Sequence, residues 1–194
     1  PTGVATEYPF PFTDVQDVAT GPDGSIWYAL KAGKILKLAM SGDVTQYNTG
    51  IKYLRGIGAG PDGNMWFAGM NDTTTSAGVF DYHGQVAKIT PSGAITTYAL
   101  PSFIMPNDVV AGADGNIWIT SGDTAAEPKS TSAGTVGVRT MITRITPNGQ
   151  YTLFAVRDMN ANATMPATAL GTVLKGADNK IWAMGPTMVQ TYQY

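Results

Sequence analysis

One short pattern occurs four times in this chain of 194 residues and limits what the chain can fold into. Each copy reads Gly, Pro or Ala, Asp, Gly or Asn, one variable residue, Ile or Met, and Trp. The copies contain all four tryptophans of the chain, which are Trp27, Trp66, Trp118 and Trp182. Pro or Ala followed by Asp and Gly suits a type I turn, and the apolar run after it is typical of a strand. The pattern therefore predicts one β-hairpin corner, used four times.

Three further strand-like segments accompany each corner. In the second repeat they are YLRGIGA (53–59) before the corner, QVAKIT (85–90) after it, and SGAITTY (92–98), which opens on a Ser-Gly turn. No segment shows helical periodicity. Four short strands in about 40 residues match the size of one β-propeller blade. We therefore predict an all-β fold: a β-propeller with four blades, each a four-stranded antiparallel meander sheet, that forms a single domain over residues 1–194.

The N-terminus carries the one strand that the fourth repeat lacks. TGVATEY (2–8) has the residue types of SGDVTQY (41–47). With the two termini joined on paper, Trp182 is 39 positions from Trp27, the same spacing as from Trp27 to Trp66. One interpretation is that the N-terminal strand completes the last blade and closes the propeller, which leaves no open sheet edge. The other is that the chain is an excerpt of a longer array in a larger protein. We favour closure.

Composition removes several classes of function. Charged residues make up 13% of the chain and the formal net charge is −2, so no basic surface predicts binding to nucleic acid. The absence of cysteine excludes disulfides, thiolate metal sites and a cysteine nucleophile. No apolar run approaches about 18 residues, which predicts no membrane insertion. Sparse charge and many uncharged polar residues suit an extracellular domain or one on the surface of a virion.

The repeat is interrupted at three places, where extra residues lie at 70–84, 121–140 and 155–169. The first two interruptions join the second strand of a blade to the third, and the last joins the fourth strand to the next blade. In a meander these connections emerge on the same face. Long loops gathered on one face of a repeat array indicate a binding surface, and neutral variation in loop length is the alternative.

Eight polar, charged or aromatic residues in these insertions are candidates for contact with a ligand. They are Asp72, Asp81, Tyr82, His83, Asp123, Arg139, Arg157 and Asp158. His83 is the only histidine, and no nucleophile-elbow, zincin or EF-hand pattern accompanies it, so we predict no catalytic residue. The aspartates of the corners are interpreted as turn formers.

The innermost strands of a propeller line its axis, and here polar residues stand near their starts. These axis candidates are Asp17, Arg55, Asn107 and Asp108, with Gln16 and Thr172 beside them. Oxygen ligands from Asp and Asn suit a hard cation, so Ca²⁺ or Mg²⁺ at the axis is one hypothesis. The hypothesis that we favour is an internal ion pair between Arg55 and Asp17 or Asp108, without a cofactor.

The repeat resembles that of virginiamycin B lyase and its streptogramin-lyase relatives. The closest stretches are GPDGNMWFAG (60–69) with QVAKITPSGAITTY (85–98), and GADGNIWIT (112–120) with MITRITPNGQYTLF (141–154). The resemblance implies a β-propeller. In that family the propeller has seven blades and opens a cyclic depsipeptide with Mg²⁺, using histidine and glutamate on its top face.

No catalytic residue carries over from this resemblance. Near the positions after the tryptophan where the family often has glutamate, this chain has other residues, namely Leu30, Gly69, Ser121 and Gly185. His83 lies in an insertion rather than at a matching repeat position. A single short segment, PNDVV (106–110), is similar to metal-dependent lactonases of the gluconolactonase type.

We predict a non-catalytic binding or attachment module. Its long loops on one face would bind a surface glycan or a protein receptor, as part of a phage tail or a secreted protein. The first alternative is a divalent-cation-dependent lyase or lactonase built on the axis residues. The second is a structural spacer domain within a larger assembly.

Overall fold

The structure is a computed structural model that describes residues 3, 12–74, 80–101, 104–122, 141–155, 170–185 and 188–192. Within these residues the chain forms fifteen β-strands and no helix. The described part of the chain accordingly holds no helix long and apolar enough to cross a membrane.

The strands form four antiparallel sheets, each of which follows the order of the chain. The first sheet consists of β1 (Val15–Thr20), β2 (Ile26–Leu30), β3 (Lys34–Leu38) and β4 (Val44–Asn48). The second consists of β5 (Tyr53–Ala59), β6 (Met65–Thr74), β7 (Phe80–Ile89) and β8 (Ile95–Ala99). The third consists of β9 (Met105–Ala111), β10 (Ile117–Gly122), β11 (Met141–Ile145) and β12 (Tyr151–Ala155). The described strands of the fourth are β13 (Thr172–Lys175), β14 (Ile181–Gly185) and β15 (Met188–Tyr192).

This arrangement confirms the all-β fold with four propeller blades in meander order. Three strands of the last blade are described, and its outermost described strand is β15. Residues 2–8, predicted to complete that blade, lie outside the described residues apart from Gly3. Closure by the N-terminal strand therefore stays a prediction, as does the assignment of residues 1–194 to a single domain.

The repeated corner joins the first two strands of every blade by a tight turn. In the first blade the Gly24 N–H donates to the carbonyl of Gly21 at 3.0 Å, and Asp23 accepts the Ser25 N–H at 3.1 Å. The closing residue of each copy has a positive φ, with values of 79° at Gly24, 77° at Gly63, 75° at Gly115 and 61° at Asn179. Glycine enters this region without a steric penalty, and asparagine tolerates it better than most residues. The turn predicted from the sequence is confirmed.

The corner aspartates also hold the tryptophans, a role that the sequence analysis missed. In three blades the indole Nε1–H donates to the Oδ1 of the aspartate four residues earlier. The pairs are Asp62–Trp66 at 2.9 Å, Asp114–Trp118 at 3.1 Å and Asp178–Trp182 at 3.2 Å. The first glycine of the corner makes room for this contact, since a Cβ at Gly60 would collide with the Trp66 ring. In these three blades the corner both turns the chain and holds the indole by a hydrogen bond.

The first blade departs from this pattern. Asp23 forms an ion pair with Lys37 at 2.6 Å, which lowers the pKa of Asp23 to about 2, and this contact has a counterpart in the second blade, where Asp62 pairs with Lys88 at 3.2 Å. The Nε1 of Trp27 is buried and has no hydrogen-bond partner among the described residues. The four copies therefore share one backbone turn but not one set of side-chain contacts.

Each of the first three tryptophans also contacts a ring and a cation of its own blade. The stacked ring comes from the outermost strand, with centroid distances of 5.9 Å for Trp27–Tyr47, 5.7 Å for Trp66–Tyr98 and 5.6 Å for Trp118–Phe154. The cation stands directly opposite on the third strand, as Lys37, Lys88 or Arg144. Each lies over the indole ring, within reach of a cation–π interaction. Indole, ring and cation tie three neighbouring strands together.

The tryptophan side of one sheet packs against the next sheet. We call this side the Trp face of a blade and the opposite side its receiving face. Between the first two blades, Trp27 and Ile35 pack against Ile57 and Phe67. The next two interfaces place Trp66 against Val109 and Ile117, and Trp118 against Val173 and Ile181. The inner strands consequently pack in the order β1, β5, β9, β13.

We predict that Asp62→Ala lowers the free energy of unfolding by about 1–3 kcal/mol, because the buried indole N–H of Trp66 loses its acceptor. Asp23→Ala is the matched control, since Trp27 already has no acceptor and the partly exposed ion pair with Lys37 contributes about 0–1 kcal/mol. Urea denaturation followed by tryptophan fluorescence measures both variants. Equal losses would contradict the role assigned to Asp62.

Candidate functional site

The antiparallel order of each blade divides its connections between two ends. The Asp–Trp corners lie at one end of the sheets. The other end carries the connections from second to third strand and those between blades. We call it the insertion face, because all three interruptions of the repeat join strands there. The inner strands β1, β5, β9 and β13 also begin at this end.

One of the predicted long loops is largely a hairpin. Strands β6 and β7 stay paired beyond the blade, from Met70 opposite Gly84 to Thr74 opposite Phe80. The prediction of a loop is therefore wrong for residues 70–74 and 80–84, which we call the extended hairpin. Threonine and aromatic residues favour extended backbone, and the polar residues among them hid this from an analysis of apolar periodicity. Most of the other two insertions lies outside the described residues.

The base of the extended hairpin is tied to the connection between the first two blades. Oδ1 of Asn71 accepts the backbone N–H of Lys52 at 2.6 Å, and its Nδ2 donates to the carbonyl of Gly50 and to Gln85, both at 3.2 Å. The ammonium of Lys52 contacts Asp72 at 2.6 Å, and this hydrogen bond is the main cause of the raised pKa of Lys52. Sequence analysis missed Lys52, Asn71 and Gln85, because their partners come from separate strands and no local spacing reveals them.

The predicted ligand residues on the extended hairpin occupy both of its sides. Asp72 stands opposite Tyr82, and His83 follows on the other side because side chains alternate along a strand. Nε2 of His83 lies 3.3 Å from Oγ1 of Thr73. The side chain of Asp72 is only 7% exposed and is engaged by Lys52. Asp72 therefore positions the hairpin, Tyr82 stands level with it, and His83 stands opposite Asn71, one pair nearer the base.

The other predicted ligand residues are placed less fully. Asp81 lies in β7, opposite Thr73. Four more lie outside the described residues, namely Asp123, Arg139, Arg157 and Asp158. Their role in binding stays a prediction.

The three blades with four described strands each have a β-bulge at the same place on the inner strand. One residue of that strand has no partner on the second strand of its blade. The unpaired residues are Gln16, Arg55 and Asn107. Bulges redirect side chains and are frequent beside functional sites. Two of the four axis candidates, Arg55 and Asn107, are therefore bulge residues, which residue types alone do not reveal.

The two axis aspartates bind the backbone of the following blade. Asp17 accepts the N–H of Ile57 in the second blade at 2.8 Å, and Asp108 accepts the N–H of Val173 in the fourth blade at 2.9 Å. Each also accepts the N–H of the residue after it, at 2.8 and 2.7 Å. Among the described residues no ion pair joins Arg55 to either aspartate. The carboxylates instead link neighbouring blades at the axis.

The inner-strand position that Asp17 occupies in the first blade holds a carboxylate in only two of the four blades. By register this position is occupied, from the first blade to the fourth, by Asp17, Gly56, Asp108 and Thr172. A Cβ at Gly56 would lie 2.7 Å from the Cα of Asp108, so a side chain there would force β5 away from β9. Glycine permits the close approach of two inner strands, and the first and third blades carry the carboxylates.

Burial raises the pKa of both axis aspartates. It is the largest influence on Asp17 and on Asp108, and it outweighs the backbone hydrogen bonds that act in the opposite direction. The charge of Asp17 further raises the pKa of Asp108. The two carboxyl groups are therefore close enough to interact electrostatically.

The axis offers oxygen ligands, but few of them. Each axis aspartate gives two acceptor positions to backbone N–H groups and keeps its remaining lone pairs. Asn107 adds an amide oxygen, since its Nδ2 donates to the carbonyl of Leu170 at 2.8 Å. Within the described ranges no three His, Cys, Asp or Glu side chains lie close enough together to hold a metal ion. Ca²⁺ takes about six to eight oxygen ligands, so these residues would form only part of a cation site.

We predict that Asp108→Ala lowers the free energy of unfolding by about 1–3 kcal/mol, because the N–H of the buried Val173 loses its acceptor. Since the folded-state pKa of Asp108 is raised, the stabilising contribution of this carboxyl is complete below 3.8 and is lost as the pH rises through the folded-state value. Urea denaturation should therefore show a larger loss at about pH 3 than at about pH 7. A loss that grows with pH would contradict this sign.

Solved structures with a similar fold share little sequence with this chain. A putative oxidoreductase (glucose dehydrogenase) from Thermus thermophilus has a TM-score of 0.55 and 15% identity, over 93% of this chain and 61% of its own. A putative gluconolactonase has a TM-score of 0.54 and 15% identity, over 94% and 61%. A protein of unknown function from Bacteroides caccae has a TM-score of 0.53 and 12% identity, over 87% and 52%. The chain thus spans 52–61% of the length of these structures, and at such identity the likeness shows the fold alone.

Comparison of the sequence with known proteins gives a more specific result. No curated protein matches the chain significantly. The profile of the virginiamycin B lyase family, however, matches residues 1–184, nearly the whole chain. The matched region contains all four Asp–Trp corners and the first three blades, and it ends within β14 of the fourth. The chain belongs to the virginiamycin B lyase family.

Proposed function

We propose that this propeller domain is an attachment module that binds a hydroxyl-rich ligand, such as a surface glycan, on its insertion face. The observation that carries the proposal is the extended hairpin. Strands β6 and β7 have ten residues each, where β2 and β3 of the first blade have five. The first blade forms with the shorter strands, so a blade does not need the extra residues of β6 and β7. We therefore assign these residues a role outside the core.

The extended hairpin has the chemistry that a hydroxyl-rich ligand needs. Tyr82 supplies an apolar ring with a hydroxyl, and His83 supplies an imidazole whose Nε2 lies 3.3 Å from Oγ1 of Thr73. The ion pair of Lys52 with Asp72 and the hydrogen bonds of Asn71 fix the base of the hairpin before a ligand arrives. A surface held in place beforehand loses less entropy on binding.

The axis and the extended hairpin meet within the second blade. Tyr53 pairs with Met70 at the base of the hairpin, and the bulge residue Arg55 follows two positions later. Arg55 is exposed, as is Gln16 at the same position of the first blade. These two side chains add donors to the surface at the foot of the hairpin. Attachment through this surface, in a secreted protein or on a virion, is the context that we propose.

Removal of residues 71–83, with an Asn-Gly link from Met70 to Gly84, should weaken glycan binding at least about tenfold and leave the propeller folded. A glycan array identifies the ligand of the full chain, calorimetry measures its affinity, and far-UV circular dichroism checks the fold. Ser92→Ala, in a turn at the opposite end of the sheets, is the control and should bind normally. Unchanged binding without the hairpin would contradict the proposal, and a purely structural spacer predicts that outcome.

A second candidate function is a divalent-cation-dependent lyase or lactonase with its centre at the axis. The observation in its favour is the pair of interacting carboxyl groups on Asp17 and Asp108, both with a raised pKa. Perturbed carboxyl groups in proximity are typical of functional sites. The family is named after a lyase, and one of the similar structures is described as a putative gluconolactonase.

The second candidate predicts that Mg²⁺ or Ca²⁺ alone binds to the full chain. Isothermal titration calorimetry should then give a saturable heat that Asp108→Asn reduces at least about tenfold in affinity, because a carboxylate ligand is lost. Asp178→Asn, at a corner far along the strand from the axis residues, is the control and should leave the heat unchanged. Absence of a saturable heat with either cation would contradict this candidate.

A further inference from the structure

The lysines and arginines that the structure describes divide between the two ends of the sheets. Five lie at the corner end, namely Lys37, Lys88, Arg144, Lys175 and Lys180. The other four lie at the insertion face, namely Lys31, Lys34, Lys52 and Arg55, which we call the basic patch. Within the described residues, the third and fourth blades add no Lys or Arg to this face. Its positive charge is therefore gathered at the boundary between the first two blades.

Direct contacts hold together the segments that carry the basic patch. The turn from Lys31 to Gly33 packs on the connection between the first two blades. A Cβ at Gly33 would collide with a carbonyl oxygen of that connection and lie 3.5 Å from the Cα of Lys52. Thr49 fixes the same turn, since its N–H and its hydroxyl donate to the carbonyl of Gly33 at 3.1 and 2.9 Å. Arg55 follows Lys52 by three positions, so all four cations lie on neighbouring segments.

Most of the charge of the basic patch is not used within the chain. Among the described residues, no ion pair involves Lys31, Lys34 or Arg55. Lys31 and Arg55 are exposed, and Lys34 is half-buried. Lys52 differs, because it pairs with Asp72 while its ammonium lies over the ring of Tyr53. Three cations are therefore available to a ligand, and the fourth ties the patch to the extended hairpin.

The carboxylates beside the basic patch offset only part of its charge. Asp72 is nearly buried and already pairs with Lys52. Both oxygens of each axis aspartate accept backbone N–H groups. Asp14 is exposed and adjoins Lys31, whose N–H donates to the Asp14 carbonyl at 2.9 Å. As far as the structure describes this surface, the cations without an ion pair outnumber the exposed carboxylate beside them.

We propose that the ligand of the insertion face is an acidic glycan, whose carboxylate or sulfate groups bind to Lys31, Lys34 and Arg55 while its hydroxyls contact the extended hairpin. The acidic glycan is the ligand of the proposed function, so the inference rests on that proposal. Arginine forms paired hydrogen bonds with such planar or tetrahedral anions, and lysine binds them as a point charge. The chain as a whole has a formal net charge of −2, so the attraction depends on these residues and not on overall charge.

A glycan array with neutral, carboxylated and sulfated forms of the same backbones tests the inference on the full chain. We expect binding to acidic members, and the carboxylated and sulfated forms distinguish the two anionic groups. Calorimetry on the acidic member with the strongest signal should give an affinity at least about tenfold above that of its neutral form. Binding to neutral members alone, or equal affinity for the two forms, would overturn the inference and leave the proposed function standing. No binding to any member would overturn both.

Single substitutions assign the binding to the basic patch. Lys31→Gln and Arg55→Gln should each weaken binding to that acidic glycan at least about fivefold, because each removes one charged donor. Both side chains are exposed, so the fold is expected to persist, and circular dichroism checks it. Lys175→Gln is the matched control, since it removes one exposed cation at the corner end. Equal losses for all three variants, or no loss for the first two, would overturn the inference.

Oligothymidine separates glycan recognition from attraction to any polyanion. Its phosphates carry charge, but it lacks the free hydroxyls that the extended hairpin would contact. We expect it to bind at least about tenfold more weakly than the acidic glycan at the same salt concentration. Equal affinity for the two polyanions would contradict recognition of a glycan.

Discussion

The contact of one tryptophan with the following sheet is the interaction on which the propeller depends. Each Trp face needs an indole that fills the gap to the next receiving face, and a sheet whose two faces are both buried reads as a continuous apolar run. The corner turn fixes the position of the tryptophan on its strand. The aspartate in that turn accepts the indole N–H in three of the four blades. The indole N–H thereby has a hydrogen-bond acceptor inside an apolar interface. This bond permits a side chain as large as tryptophan to be buried between two blades.

Much of the fold could be predicted because its determinants are local and repeated. The four corners with their positive φ and the order of strands all follow from residues adjacent in sequence. The bond from Asp62 to Trp66 could have been suspected from the constant spacing of four residues, but Trp27 shows that spacing alone is insufficient. The extended hairpin escaped prediction because polar residues interrupt its apolar positions, so the sequence shows no period of two that would mark a strand.

The site was harder to predict because its contacts join distant parts of the chain. Asp17 and Asp108 were recognised as residues at the axis, but their partners are backbone N–H groups 40 and 65 positions away, and a backbone group leaves no mark in the sequence. The same holds for Lys52, whose partner Asp72 stands on another strand. The sequence shows the same residue, aspartate, whether its carboxylate links two blades or binds a ligand. Only the packing of inner strands distinguishes them, and here Gly56 is the residue that brings two of those strands together.

The division of each blade into a corner end and an insertion end has a consequence for how such a protein changes over evolutionary time. At the corner end, turn, indole, ring and cation constrain one another, so a substitution there disturbs several contacts at once. At the insertion end, β6 and β7 have ten residues each against five in their counterparts of the first blade, while the core between blades keeps its pattern. The length of the extended hairpin is therefore separable from the packing between blades. Substitutions and insertions can accumulate at the insertion end without a change of structure at the corner end.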